Sequence, residues 1–109
     1  MHERELVEAA LVTLRRATRD QPLSSVEIAL GPGIDRFRAN LAWRDLTANT
    51  PLAPAHVTWE RAQDLLRCDV CDREYTGDGL ESCPYCGNDG TVIEAALPIA
   101  VGRWVLAAA

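Results

Sequence analysis

The feature that most limits how this chain can fold is a pair of short cysteine turns, Cys68-Asp69-Val70-Cys71 and Cys83-Pro84-Tyr85-Cys86-Gly87, which hold all four of its cysteines. Two residues between cysteines let both sulfurs of a turn bend toward one ion. Two such turns supply four thiolates to a tetrahedral zinc. Pro84 presets one backbone angle, and Gly87 tolerates the positive φ that often follows such a turn. The 11 residues between the turns leave room for a short hairpin, with Thr76-Gly77-Asp78-Gly79 as its turn. Residues 66–90 contain few apolar side chains, Leu66, Val70, Tyr75, Leu80 and Tyr85 among them. Burial alone cannot order such a segment, whereas a structural zinc contributes on the order of 10–16 kcal/mol in small peptides.

The spacing by itself leaves other uses of the cysteines open. They could form disulfides, although a chain held in a reducing compartment keeps them as thiolates or ligands. A dithiol redox pair would need only one Cys-x-x-Cys, at the start of a helix. A four-thiolate iron centre takes the same ligand set. Four cysteine ligands leave no open position for water, which argues against catalysis at the metal.

The rest of the chain alternates helix and strand. Residues 3–19 place Leu6, Val7, Ala10, Leu11 and Leu14 at helical spacing, and Asp20-Gln21-Pro22 stops the helix. Val26, Ile28 and Leu30 alternate with Ser25, Glu27 and Ala29 as in a half-buried strand, ended by Gly31-Pro32-Gly33. A second helix is expected over about residues 34–47, with Ile34, Phe37, Leu41 and Leu46 as its apolar positions. Val57 and Trp59 mark a second strand. Residues 91–106 read as a last strand, with Pro98 at an edge or bulge. The fold class is therefore α+β: a small three-stranded sheet with two helices on one face, plus an inserted four-cysteine zinc-ribbon module. Residues 1–65 with 91–109 form the α+β domain and 66–90 the zinc-binding module. If the strands on either side of the module pair, it is an excursion entered and left side by side.

Charge narrows the function. The formal net charge is −5, and all 11 basic residues are arginine. Without lysine there is no Schiff-base chemistry and no P-loop. Residues 66–90 carry two arginines against six acids, a balance of −4, which would repel nucleic-acid phosphate. The charge also disfavours a polybasic membrane anchor. No apolar stretch approaches the roughly 20 residues of a membrane span. The Met-His-Glu-Arg-Glu start shows no secretion signal, so the expected compartment is the cytoplasm. No HExxH or catalytic triad pattern is present, so an enzyme is not expected.

Two histidines remain, His2 and His56. His56 reads as a surface or packing residue near a strand start. A histidine at position 2 is ordinarily a solvated terminal residue. It can also chelate through the terminal amine, a backbone amide and its imidazole, with the amide of Glu3 completing four nitrogens. Square-planar nitrogen coordination suits Ni(II) and Cu(II).

Taken together, the Met1-His2-Glu3 start, the helix behind it, the segment 50–59 leading into a strand, and the two cysteine turns resemble the HypA family of nickel metallochaperones. That family matures [NiFe]-hydrogenase and also supports urease. The resemblance implies Ni(II) binding by the amine of Met1, the backbone and imidazole of His2 and the backbone of Glu3. It further implies structural zinc on Cys68, Cys71, Cys83 and Cys86. The partners it implies are the maturation GTPase HypB, the hydrogenase large subunit and urease maturation proteins, with neither nucleic acid nor membrane. The rival expectation is a zinc-ribbon interaction adaptor without a nickel role. A nucleic-acid-binding ribbon is a third, disfavoured by charge.

Overall fold

The structure, a computed structural model, describes residues 2–107. Its elements are helix α1 (His2–Thr18), strand β1 (Leu23–Leu30), helix α2 (Arg36–Thr47), strands β2 (His56–Arg61), β3 (Asp64–Cys68), β4 (Glu74–Gly77) and β5 (Gly90–Glu94), and strand β6 (Ile99–Leu106). They form two three-stranded sheets, ordered β2-β1-β6 and β4-β3-β5. This is the expected α+β architecture, with two helices on one face of the first sheet and the cysteine ribbon inserted behind β2.

Strand β1 lies at the centre of the first sheet, parallel to β2 and antiparallel to β6. The parallel pair follows from chain path, because α2 carries the chain from the far end of β1 back to its starting end. Alternation along β1 sends Val26, Ile28 and Leu30 to one face. Their ladder partners on that face are Val57 and Trp59 from β2, and Trp104, Val101 and Ile99 from β6. Val7, Leu11 and Leu14 of α1 and Ala39, Ala42 and Trp43 of α2 close over them to make the main core. Trp43 and Trp59 meet edge to face with ring centroids 6.5 Å apart. The Trp59 indole N–H donates to the Asn40 side-chain oxygen at 3.1 Å, which satisfies its polar edge.

Three expectations are corrected. The strands flanking the ribbon do not pair, because β1 lies between β2 and β6. The chain therefore leaves and re-enters the sheet at opposite edges, about 10 Å apart at the ordinary strand spacing. The single last strand over 91–106 is two strands, β5 and β6, in different sheets. The break at residues 95–98 contains Pro98, which has no N–H for a ladder. Finally, α2 begins at Arg36 and buries only part of its predicted stripe: Ile34 and Leu46 pack on the core, but Phe37 is 71% and Leu41 47% exposed. Asp35 is the N-cap, its carboxylate accepting from the Arg38 N–H at 3.1 Å, which sets the start of the helix two residues late. The buried side is then Ala39, Ala42, Trp43 and Thr47. Helix α2 lies close against α1, with Ala39 and Ala42 in the shared core, and Trp43, which reaches Trp59 of the sheet, supplies the bulk that Phe37 was expected to give.

Hydrogen bonds pin the ends of the two segments, 62–63 and 95–98, that connect the sheets. The Gly31 N–H donates to the Pro98 carbonyl at 2.9 Å, and the Ala96 N–H to the Asp64 carboxylate at 2.7 Å. The Arg61 guanidinium donates to the carbonyls of Gly31 and Ile34 at 2.9 and 2.8 Å. A methyl group on Gly31 would lie 2.5 Å from the Leu97 carbonyl oxygen, so only glycine lets the two backbones approach this closely.

Candidate metal centre

The four cysteine sulfurs converge, all lying within 4.8 Å of one another. Strand β3 delivers Cys68, and the turn after it returns as β4, so the Cys68–Cys71 turn is itself the hairpin bend. Thr76-Gly77-Asp78-Gly79, expected to make that bend, lies instead at the open end of the hairpin, with Gly77 closing β4. The second turn follows β4 and folds beneath the first before β5 runs back along β3.

The two turns have the same construction. The N–H of Asp72 donates to the Cys68 carbonyl and that of Gly87 to the Cys83 carbonyl. Each donor is the fourth residue after the first cysteine, and each has positive φ, 65° at Asp72 and 80° at Gly87. Gly87 was the readable member of this pair. Asp72 fills the same place with a short polar side chain that tolerates the left-handed conformation. Backbone amides also point at the sulfurs. The N–H groups of Val70 and Cys71 donate to Cys68 Sγ, and that of Tyr85 to Cys83 Sγ, each at 3.4 Å. Such donors offset the negative charge of thiolates held together.

The donor set fits zinc. Cys68 Sγ and Cys86 Sγ are 3.3 Å apart, and Cys71 Sγ and Cys83 Sγ 3.7 Å apart. A tetrahedral ion with Zn–S bonds of about 2.3 Å sets its ligand sulfurs about 3.8 Å apart. The cysteines are free of disulfides. Cys68 and Cys83 are buried with Leu66 and Tyr75 in a second small core, while Cys86 is exposed. Without metal, the Cys86 thiol titrates at about 6, chiefly because the side-chain and backbone N–H groups of Asn88 hydrogen-bond its thiolate, with the Cys68 thiol adding to them. The Cys71 thiol is pushed up to about 11. The Arg73 amide favours its thiolate, but burial and the neighbouring sulfurs outweigh it. Asn88 is a supporting residue that cysteine spacing could not reveal.

Met1 and the side chain of His2, expected as nickel ligands, lie outside the described residues. Glu3 is described and buried, at 8% exposure. Its carboxylate accepts from the Asp35 N–H at 3.2 Å, joining the first turn of α1 to the N-cap of α2. Its carboxyl titrates at about 2. The positive amino terminus comes first among the groups that favour its charged form, and the Asp35 amide second. The Asp35 contact is not legible in sequence, since 32 residues separate the partners. His56 opens β2 and is exposed, as expected for a surface residue. Among the described residues, the cysteine set is the one cluster of potential metal ligands, and no helix is long and apolar enough to cross a membrane.

A two-helix α+β body carrying an inserted four-cysteine ribbon, with sulfurs spaced for one tetrahedral ion, defines a small zinc-ribbon protein. Residues 1–102 match the family described as "Hydrogenase/urease nickel incorporation, metallochaperone, hypA", and the chain belongs to that family. It is 37% identical over 54 residues to the "Hydrogenase maturation factor HypA" of Solidesulfovibrio magneticus, a match covering 46% of each chain. The matched part therefore spans about half the length of that curated relative. The fold is similar to the "Solution structure of the Ni metallochaperone HypA from Helicobacter pylori" with a TM-score of 0.65 at 14% identity, covering all of both chains. It is also similar to the "Solution structure of HypA protein" with a TM-score of 0.61 at 13% identity, covering 98% of this chain and 97% of the other.

Proposed function

We propose that this chain is a nickel metallochaperone. It binds Ni(II) as cargo at its start and hands it on for maturation of [NiFe]-hydrogenase. The nickel ligands in this reading are the amine of Met1, the backbone amide and imidazole of His2, and the backbone amide of Glu3. Zinc is held permanently by Cys68, Cys71, Cys83 and Cys86, so residues 66–90 act as a rigid module beside the nickel-binding body of 1–65 and 91–109. The partners are the GTPase HypB and the hydrogenase large subunit, with urease maturation proteins as further recipients. The protein works in the cytoplasm and moves an ion rather than transforming a substrate.

The observation that carries this reading is the family match, which starts at residue 1 and so includes Met1-His2-Glu3. The local structure is compatible with it. Helix α1 begins at His2, and the first N–H groups of a helix have no intrahelical partner. The amides of His2 and Glu3 can therefore lose their protons to a metal without breaking a helical hydrogen bond. An imidazole and an amine ligand are released by protonation, so nickel loading should fall as pH drops through the histidine range near ~6.5.

The test is Ni(II) binding by three proteins: the native chain, His2→Ala, and a chain with extra residues before Met1. Strong binding only by the native chain supports the terminal chelate. Equal binding by all three refutes it and favours the adaptor reading.

A further inference from the structure

One peptide group stands between Arg61 and Glu3. Arg61 closes β2 opposite Leu30 of β1, and its guanidinium donates to the carbonyls of Gly31 and Ile34 at 2.9 and 2.8 Å. The Asp35 N–H donates to the Glu3 carboxylate at 3.2 Å. The Ile34 carbonyl and the Asp35 N–H belong to the same peptide. That peptide is trans, so its two polar ends point in opposite directions. A cation therefore holds one end and an anion the other, across the loop between β1 and α2.

This arrangement strengthens both bonds. A cationic donor on the carbonyl polarises the amide and makes its N–H a better donor to the carboxylate beyond it. Glu3 is 8% exposed, and a buried carboxylate depends on such donors. Arg61 is committed to the loop: among the described residues no ion pair includes it, although Asp78 and Glu81 line the same cleft. Its two carbonyl partners lie at the start of the loop and next to Asp35, so the Ile34–Asp35 peptide is held in one orientation. Glu3 in turn lies in the first turn of α1, which begins at His2.

We propose that Arg61 is a positioning residue for nickel loading: through the Ile34–Asp35 peptide it fixes the Glu3 carboxylate, and with it the turn of α1 that carries the nickel ligands. The inference rests on the nickel reading above, and adds to it a residue of β2 that touches neither the ion nor its ligands. A turn that is already ordered gives up less freedom when the metal binds, so the ion is held more tightly.

Four variants test it: Arg61→Ala, Arg61→Lys, Glu3→Ala, and Arg61→Ala combined with Glu3→Ala. Arg61 is exposed, so its variants should fold, which melting curves and zinc content check. Without nickel, the Asp35 amide proton of Arg61→Ala should move upfield and exchange faster. Ni(II) affinity of Arg61→Ala should fall about tenfold, the scale of ordering one further residue. Arg61→Lys keeps a cationic donor and should recover part of that loss. In the Glu3→Ala background, Arg61→Ala should add little, because the path from Arg61 to the terminus is already cut. The proposal is overturned if Arg61→Ala leaves the Asp35 amide unchanged, or if it binds Ni(II) as tightly as the native chain. It is also overturned if the two losses multiply in the double variant, which would make Arg61 a general stabiliser. The amide signal and the Arg61→Ala affinity decide the matter even where the Glu3→Ala proteins do not fold. A native chain that binds no nickel would sink the nickel reading and this role with it. Native binding that is undiminished in Arg61→Ala would sink this role alone.

Discussion

The carboxylate of Glu3 accepts a hydrogen bond from the backbone N–H of Asp35, 3.2 Å away, so the residue next to His2 is tied to the residue that caps α2. This carboxyl titrates at about 2, below its ordinary 4.5, with the amino terminus the first cause and the Asp35 amide the second. A depressed carboxyl stabilises the fold above its unfolded pKa and loses that stabilisation as pH falls through its folded pKa. Replacing Glu3 with Gln should therefore lower the melting temperature near neutrality. The difference from wild type should shrink as pH falls from about 4.5 toward 2. A difference that stays constant over that range would show that the charge of Glu3 contributes nothing.

Cys68→Ser and Cys86→Ser should each lower zinc below one per chain and disorder the ribbon. The second core is small, consisting of Leu66, Tyr75 and the cysteines themselves. The main core contains none of these residues, so signals from β1 and the helices should survive. Zinc analysis and amide spectra check both statements. Retention of one zinc by both variants would refute the four-thiolate site.

Protons compete with zinc for the same sulfurs. With Cys86 titrating at about 6 and Cys71 at about 11 in the metal-free chain, every step toward acid adds protons that zinc must displace. A chelator should strip zinc much faster at pH 5.5 than at pH 7.5. Asn88→Ala, which removes the side-chain donor to Cys86 Sγ, should shift that dependence to higher pH.

Gly31→Ala should destabilise the protein by about 1–3 kcal/mol, because its new methyl would meet the Leu97 carbonyl and neither backbone can yield freely. Gly33 provides the comparison. It has φ +83° and nothing within 4 Å, so Gly33→Ala should cost only the left-handed penalty of about 1–2 kcal/mol. Urea unfolding measures both. Only the Gly31 substitution should also loosen the end of the β1–β6 ladder, read as faster amide exchange at Gly31.

The reversed face of α2 gives a direct stability test. Trp43 is 3% exposed and Phe37 71%. Trp43→Ala should cost about 3–5 kcal/mol, whereas Phe37→Ala should change stability by less than about 0.5 kcal/mol. Equal losses would mean that Phe37 is packed after all.

The cysteine spacing and turn residues were enough to place one closed four-sulfur site, because both operate within five residues of chain. The same holds for α1 and β1, whose apolar periods match their burial. Other features depended on residues far apart in sequence. The burial of α2 was decided by the Asp35 cap and by its packing against α1 and Trp59, so Phe37 and Leu41 face water while Ile34 and Leu46 pack on the core. The place of β1 between β2 and β6 was decided by the path of α2, and the split of the last strand by Pro98 and the crossing over Gly31. The Glu3–Asp35 bond needs two helix starts to meet. Sequence alone determined the local chemistry, the zinc donors above all. Tertiary structure decided which faces are covered and which remain open to a partner, because burial is settled by what the rest of the chain brings alongside.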